Sequence, residues 1–235
     1  GEETMQGQKG FSGLRTAVTA LALAAGAGAA PAMAHEAGDF FVRAGVALVA
    51  PNTDSGPLVI DGSPVDGTGV DVDDAFALGL TLNYMITSHW GVELLASTPF
   101  EHDIDDEGVG LGTIAKVEHL PPTLSIQYYP LAADSPIQPY VGVGVNYWMV
   151  LDEELTGAFQ GAFGPGGDLD IDDSWGLAGQ LGVDVALNER WGVNAALWYI
   201  DVDTEASIVA GNGTRIGVDV DVDPWAWMVG LSYKF

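Results

Sequence analysis

The sequence predicts an all-β protein: an eight-stranded antiparallel transmembrane β-barrel with short periplasmic turns and long acidic extracellular loops. Three observations predict this class, namely the alternation in the last strand, an even number of alternating segments, and connections of unequal length. An outer-membrane barrel has an even strand count, an apolar outer face with aromatic residues at both interfaces, and short turns on the periplasmic side.

The last twelve residues, 224 to 235, alternate strictly between two faces of a strand. One face carries Trp225, Trp227, Val229, Leu231, Tyr233 and Phe235. The other carries Ala226, Met228, Gly230, Ser232 and Lys234. A strand whose outer face meets lipid and its interfaces accounts for the aromatic face. A soluble edge strand packed on a core is the alternative.

Period-two patterns predict eight strands in residues 35–235. They lie near Phe40 to Asn52, Asp73 to Met85, Trp90 to Phe100, Thr113 to Tyr129, Ile137 to Leu151, Ser174 to Leu187, Trp191 to Thr204 and Val218 to Phe235. Short connections at 87–89, 130–136 and 188–190 alternate with long ones at 53–72, 101–112, 152–173 and 205–217. Both chain ends then lie at the periplasmic side.

The same alternation also fits a soluble eight-stranded barrel with its apolar face inward. Aromatic residues at strand ends beside the short turns favour the membrane assignment, because an interfacial girdle needs them at one rim. They are Tyr84, Trp90, Tyr128, Trp191 and Phe235. Eight strands make a narrow barrel that side chains fill or that holds one small ligand.

The first 34 residues read as a cleaved signal peptide. Lys9 and Arg15 precede the apolar run 17–30, and Ala32-Met33-Ala34 is a small-x-small cleavage site. We expect the mature chain to begin at His35 and translation to begin at Met5 or upstream. No later stretch is apolar over the 18 or more residues of a helical span, so strands must cross the membrane.

The chain is strongly acidic, with 33 Asp and Glu against 7 Lys and Arg. This charge argues against nucleic acid as a partner, since phosphate needs cationic neutralisation. Twenty-four acidic residues lie in the outer segments 54–74, 101–107, 152–173 and 201–223. Several alternate with Val, Ile or Leu, which predicts strands that continue beyond the membrane. Two interpretations stay open: divalent cations bind these loops, or the loops form a solvated surface suited to a saline habitat.

Several runs resemble the OmpW family, which includes AlkL-type proteins. They are His119-Leu120-Pro121-Pro122-Thr123-Leu124-Ser125-Ile126-Gln127-Tyr128-Tyr129, Pro139-Tyr140-Val141-Gly142-Val143-Gly144-Val145-Asn146-Tyr147, Asn188-Glu189-Arg190-Trp191-Gly192-Val193-Asn194, and Gly230-Leu231-Ser232-Tyr233-Lys234-Phe235. The resemblance covers essentially the whole mature chain and is strongest in the first two runs. The acidity of the loops departs from what we expect of that family.

The resemblance implies an outer-membrane barrel of a Gram-negative bacterium with a hydrophobic interior channel. It implies uptake of small hydrophobic molecules that leave sideways into the membrane. Membrane lipids and lipopolysaccharide would surround such a barrel. Recognition of Phe235 by the outer-membrane assembly machinery is a further implication. No cofactor and no metal centre is expected.

The terminal strand fixes which residues point inward in the other strands. Near the periplasmic rim, this alternation places two cations and two anions on the inward face of the barrel. They should pair in a narrow lumen, because unpaired buried charges cost several kcal/mol. We therefore predict a periplasmic plug of Arg43, Glu93, Asp184 and Lys234; separate charges hydrated by water in the lumen are the alternative. An apolar chamber should lie above, lined by Leu95, Trp148, Trp198 and Met228, although plain packing of a small barrel would place these residues in the same way.

Pro121 and Pro122 predict where a solute leaves the lumen. Neither residue donates a ladder hydrogen bond. The pair therefore marks a lateral exit in the wall or, alternatively, the end of strand pairing above the membrane. The predicted function is passive uptake of small hydrophobic molecules, and the alternative is a structural or receptor barrel without transport.

We do not expect an enzyme. A lipid hydrolase needs a nucleophile beside a base. His119, with Ser97 or Ser125 as a neighbour, is the single candidate, because His89 is placed in a turn and His102 in an acidic loop.

Overall fold

The computed structural model describes residues 35–235, and the predicted signal peptide lies outside them. The described part forms seventeen strands and one helix, namely β1 Phe40–Ala50, β2 Asp54–Ser55, β3 Val59–Ile60, β4 Ser63–Pro64, β5 Gly69–Val72, β6 Ala75–Met85, β7 Trp90–Ser97, β8 Phe100–Glu107, β9 Thr113–Leu120, β10 Thr123–Tyr128, β11 Ile137–Leu155, α1 Gly157–Phe163, β12 Asp168–Ile171, β13 Ser174–Ala186, β14 Trp191–Ile200, β15 Asp203–Val209, β16 Arg215–Asp221 and β17 Trp225–Lys234. No helix in this part of the chain has the length and hydropathy of a membrane span.

Eight of the strands close into an antiparallel barrel, as the sequence predicts. The ring runs β10, β7, β6, β1, β17, β14, β13, β11 and back to β10. The first and last strands close it, with Phe41 opposite Lys234 and Ala50 opposite Trp225. Closure removes the free strand edges that a transmembrane sheet cannot leave unpaired.

The predicted phase of the last strand is confirmed. Met228 is 1% exposed, whereas its neighbour Val229 is 51% exposed. All five aromatic residues of the predicted periplasmic rim are exposed. At the other end of the barrel, Trp175 stacks on Tyr147 at 4.5 Å and Trp225 contacts Tyr199 at 5.1 Å between ring centroids. These two aromatic girdles bound the membrane-spanning part of the barrel.

The barrel wall continues above the upper girdle as two smaller arrangements of strands. The upper half of β11 pairs with β9, β9 with β8, and β8 with β5. A separate sheet joins β12, β15, β16, β3 and β4, and β2 also pairs with β16. Val218, Val220 and Val222 are buried inside it while the alternating Asp219 and Asp221 are exposed. The predicted continuation of acidic strands beyond the membrane is thus confirmed.

Proline explains several differences between the predicted and observed strands. The predicted strand 113–129 is divided at Pro121 and Pro122 into β9 and β10, and a break before Pro224 separates β16 from β17. Proline has no N–H to donate, so each ladder stops there. Residues 101–107, predicted as part of a loop, form most of β8. The helix α1 was not predicted; the Thr156 hydroxyl caps it by accepting from the Phe159 N–H.

Candidate functional site

A fully buried arginine lies inside the periplasmic end of the barrel. Arg43 points inward from β1, where its Nη1 donates to Glu93 Oε2 at 2.5 Å. Its Nε and Nη2 donate to Asp184 Oδ1 and Oδ2 at 3.0 and 2.6 Å. Glu93 and Asp184, which come from β7 and β13, are each 1% exposed. We refer to Arg43, Glu93 and Asp184 as the floor network.

Neutral side chains satisfy the remaining polar atoms of the floor network. Asn83 Oδ1 and the Tyr129 hydroxyl accept from Arg43 at 2.7 and 2.9 Å. Gln180 donates to Glu93 at 2.8 Å, and Asn194 donates to Asp184 at 2.9 Å. The Tyr140 ring lies 4.6 Å from the guanidinium carbon, a cation–π distance. Such complete pairing is what keeps buried charges tolerable in a low-dielectric lumen.

Lys234 is not a member of the floor network, contrary to the sequence prediction. Its ammonium lies 2.6 Å from the carboxylate of Asp39, just before β1. The reason is positional: Lys234 is opposite Phe41 at the barrel rim, two residues nearer the periplasm than Arg43 along β1. The long lysine side chain therefore finds an acidic partner at the mouth of the barrel.

The four residues predicted to line one apolar chamber lie along two separate cavities. Leu95, Trp198 and Met228 line the lower cavity, a space of about 20 Å³ inside the membrane-spanning barrel that also touches Phe100 and Pro121. Trp148 lines the upper cavity, a space of about 110 Å³ within the extracellular extension. The upper cavity is walled mainly by the buried Val, Ile and Leu side chains of the alternating acidic strands. The lining is therefore mainly apolar, with His102, Asp106 and Thr204 as its polar residues.

Four aromatic side chains lie between the two cavities: Phe100, His102, His119 and Trp148, which we call the ring layer. His119 stacks on Trp148 at 3.5 Å and on Phe100 at 5.6 Å between ring centroids. The Nε2 atoms of His102 and His119 are 2.9 Å apart. His102 was predicted to lie in a loop, but it points inward from β8 and is 1% exposed. Burial lowers the pKa of both imidazoles, which lie above the upper girdle.

The barrel wall has an interrupted ladder beside the lower cavity. Pairing between β7 and β10 ends at Leu95 opposite Thr123, and pairing between β8 and β9 begins at Phe100 opposite His119. Residues 96–99 and 120–122 lie between these two pairs. The opposite flank is continuous, because the Tyr147 N–H donates to the Pro122 carbonyl at 3.0 Å. Pro121 and Pro122 therefore border a one-sided gap that faces β7.

One group of carboxylates in the extracellular extension brings its oxygens together. Oxygen atoms of Asp201, Asp203 and Asp223 lie within 4.8 Å of one another. Burial, followed by the repulsion of neighbouring carboxylates, raises the pKa of Asp203. Binding of divalent cations to the acidic loops stays a prediction.

Sequence reasoning missed several residues around the floor network, although the signal was present. The alternation of the last strand, carried around the barrel, assigns Gln127 and Gly142 to the inward face. Tyr129 and Tyr140 are two residues from them, so extending the alternation by one step predicts both tyrosines on the same face. Similarly, β8 alternates acidic residues with the buried side chains of Phe100, His102 and Ile104. The many acidic residues of that segment favoured its prediction as a loop, so its buried face was not predicted.

The fold and its lumen define a class of protein. A closed eight-stranded antiparallel barrel, with an apolar outer surface between two aromatic girdles and short turns at one end, is a small outer-membrane β-barrel. Its outer surface contacts membrane lipids.

Comparison with known proteins identifies the family. The model of the OmpW family matches residues 36–235. Outer membrane protein W of Vibrio cholerae is 41% identical over 225 residues, covering 94% of this chain and 100% of that protein. The crystal structure of the outer membrane protein OprG from Pseudomonas aeruginosa superposes with a TM-score of 0.83 at 45% identity, covering 87% and 99% of the two chains. The chain therefore belongs to the OmpW family and resides in the outer membrane of a Gram-negative bacterium.

A more distant relative carries a name that refers to metabolism. The dibenzothiophene metabolism operon protein PahQ of Pseudomonas aeruginosa is 26% identical over 182 residues, covering 77% of this chain and 82% of that protein.

Proposed function

We propose that the protein is a passive channel for small hydrophobic molecules. The solute enters the upper cavity from outside, passes the ring layer and leaves through the gap at Pro121 and Pro122 into the membrane. The observation that carries this proposal is the position of the lower cavity, which is bordered by Pro121. An apolar space beside an unpaired stretch of wall favours a sideways route.

The floor network supports a sideways rather than a straight path. A hydrophobic solute that continued toward the periplasm would have to displace paired, fully buried charges. Breaking such pairs leaves an uncompensated charge and costs about 3–5 kcal/mol. The wall offers a lower barrier, since no ladder pair joins residues 120–122 to residues 96–99 on the neighbouring side of the gap.

The relative PahQ is compatible with this class of solute. Its name places it in an operon for metabolism of dibenzothiophene, an apolar aromatic compound. The upper cavity offers aliphatic walls and the faces of Trp148 and His102 to such a molecule. We propose solutes of this chemistry, small and apolar, without choosing among them.

Uptake of a fluorescent apolar probe by cells tests the route. The emission of the probe rises when it reaches membrane lipid, so its rate reports entry across the outer membrane. Pro121→Thr with Pro122→Thr restores both N–H groups; that of residue 122 faces β11, where the Pro122 carbonyl already accepts from Tyr147, so only that of residue 121 can close the gap. One ladder bond at about 1 kcal/mol should lower the uptake rate by roughly fivefold. Pro130→Thr, the same change in an exposed periplasmic connection, should leave uptake unchanged.

Two results would oppose the lateral route. The first is undiminished uptake by the double proline variant at equal amounts of folded protein in the membrane. The second is an equal loss of uptake in Pro130→Thr, which would indicate a general effect of removing proline.

A structural or receptor barrel is a second candidate, favoured by the closed state of the lumen. The lower cavity, at about 20 Å³, is close to the space of one water molecule. A solute must therefore move side chains to pass. Cells with the native protein that take up the probe no faster than cells without it would support this candidate.

We propose no enzymatic role. His119 bonds neither Ser97 nor Ser125, since its Nε2 lies 2.9 Å from His102 Nε2 and its Nδ1 has no hydrogen-bond partner among the described residues. A serine nucleophile needs an adjacent base. Hydrolysis of phospholipid by the purified, refolded protein would contradict this assignment.

A further inference from the structure

The ring layer lies between the upper and the lower cavity. His102 and Trp148 line the upper cavity, and Phe100 lines the lower one. His119 lies between them, 0% exposed and stacked on both Phe100 and Trp148. A solute in the upper cavity reaches Pro121 only after these rings separate.

The hydrogen bonds define the protonation of the histidine pair. His102 Nδ1 lies 2.5 Å from the carbonyl oxygen of Asp73, which can only accept, so Nδ1 carries the proton. Nε2 of neutral His102 is therefore an acceptor, and His119 Nε2–H donates to it. His119 Nδ1 is left unprotonated and buried, without a hydrogen-bond partner among the described residues.

An additional proton on this pair of histidines is unfavourable at either of the two available nitrogens. On His119 Nδ1 it would create a charged ring between Phe100 and Trp148, at a nitrogen that has no hydrogen-bond partner in residues 35–235. On His102 Nε2 it would oppose the His119 N–H at 2.9 Å and break the bond unless His119 gives up that proton. An imidazolium in an apolar environment is unfavourable relative to one in water.

The charged groups around the pair do not offset this cost for His119. Asp73 and Asp74, before β6, raise the proton affinity of His102, while burial opposes them. Among the described residues, His102 is the single titratable group that shifts the pKa of His119, and it lowers that pKa further. Lys116 pairs with Asp103 and Glu101 on the exposed face of β8 and β9. The neighbouring Glu118 lies on that same outward face by the alternation of β9.

We propose that His102 and His119 form a pH-sensitive gate between the upper and the lower cavity. The neutral pair holds the ring layer together by one hydrogen bond and two stacking contacts. Protonation separates the pair, since hydrated imidazolium is favoured over a charge inside the stack. The gate is closed at neutral pH and opens as the pH falls. As regulation of solute passage it rests on the proposed function, but its opening can be measured without transport.

Single cysteines measure the opening, because the native chain has none. Ala47→Cys places a thiol at the lower cavity, and Ala206→Cys places one at the upper cavity. The refolded protein is treated with a small neutral methanethiosulfonate, and the two rates are divided to remove the common pH dependence of thiolate reactivity. We expect the ratio of lower to upper labelling to rise by about tenfold or more as the pH is lowered from about 7.5 to about 4, a range that extends well below the ordinary histidine pKa because burial lowers the pKa of both imidazoles.

Variants of the ring layer separate titration from packing. His119→Phe keeps an aromatic ring in the stack but removes the hydrogen bond between the histidines that protonation breaks, so the ratio should lose its response to pH. Phe100→Leu alters the same layer and keeps both histidines, so the ratio should still respond to pH. His102→Gln provides a second variant without the histidine pair if His119→Phe fails to show the heat-dependent gel mobility of a folded barrel.

The outcomes distinguish this proposal from the proposed function. A native ratio that does not change with pH, or a full response that survives in both histidine variants, overturns the gate. A ratio that responds in the native protein and is lost in the histidine variants supports the gate even where probe uptake is absent. In that case the lateral route, and not the gate, would be wrong.

Discussion

The Arg43 guanidinium meets the Asp184 carboxylate through two parallel hydrogen bonds of 3.0 and 2.6 Å. This bidentate geometry is the strongest arrangement available to an arginine and a carboxylate. In the closed ring β1 neighbours β6 and β17, whereas β13 neighbours β11 and β14. The two hydrogen bonds therefore cross the lumen and connect strands that are separated by β17 and β14 in the barrel wall.

Removing the arginine should destabilise the barrel strongly. Arg43→Met leaves Glu93 and Asp184 buried without a cation, so we expect the free energy of unfolding to fall by about 3–5 kcal/mol. Urea unfolding of the protein in lipid vesicles measures the loss. Lys116→Gln removes one positive charge from an exposed ion pair and should leave the free energy of unfolding nearly unchanged.

Neutralising the two carboxylates that lose their cation should restore part of the stability lost in Arg43→Met. Arg43→Met combined with Glu93→Gln and Asp184→Asn removes all three charges together, so the uncompensated anions of the single variant are absent. A triple variant less stable than Arg43→Met would show that the carboxylates are not the source of the loss.

The lipid-facing side of β17 should reject charge. Val229 is 51% exposed and lies opposite Val46, midway along the strand. Arginine on the lipid face near the bilayer midplane costs about 2–4 kcal/mol, so Val229→Arg should lower the free energy of unfolding in vesicles by that amount. Val209→Arg is the matched control, since Val209 is 49% exposed in the extracellular extension. Equal losses of unfolding free energy in the two variants would contradict the placement of Val229 inside the membrane and of Val209 outside it.

The seam between β1 and β17 should depend on glycine at two facing positions. Gly45 and Gly230 lie opposite each other, and a Cβ on Gly45 would overlap the carbonyl oxygen of Val229. Gly45→Ala should therefore prevent close pairing of the strands and lower the yield of folded, heat-modifiable protein. Gly179→Ala meets no atom within 4 Å and should fold normally. Normal folding of Gly45→Ala would show that the seam can shift.

The alternation of side chains in a strand made much of this lumen predictable. One phase, taken from Met228 and Val229, placed Arg43, Glu93 and Asp184 inside the barrel. The period of two is a property of the backbone and continues around a closed sheet through its pairing. The phase therefore carries from the last strand to the first.

Contacts that depend on height along the barrel axis were less predictable. Lys234 has the inward phase of Ser232, yet it pairs with Asp39 because it lies at the rim. The pairing of His102 with His119 depends on the register of β8 and β9, which contains a shift between Ile104 and Asp105. Alternation alone predicts which face of a strand a residue occupies, but it does not predict which residue of the neighbouring strand lies opposite.

His35 provides a test of buried histidine outside the membrane-spanning strands. It lies just before β1 and is 1% exposed; its ring is 5.0 Å from Phe41 and 4.8 Å from Tyr129 between centroids. Neither ring nitrogen has a hydrogen-bond partner among the described residues. Burial lowers the pKa of His35 from 6.5 to about 4.

Because this pKa is depressed in the folded state, neutral His35 contributes fully to stability above about pH 6.5 and loses that contribution as the pH falls toward about 4. His35→Phe keeps an aromatic ring and removes the titration. We expect little change in the urea midpoint near neutral pH, but a variant more stable than the native protein by about 1–3 kcal/mol at acid pH. Parallel pH profiles for the two proteins would mean that His35 does not stay neutral inside the folded barrel.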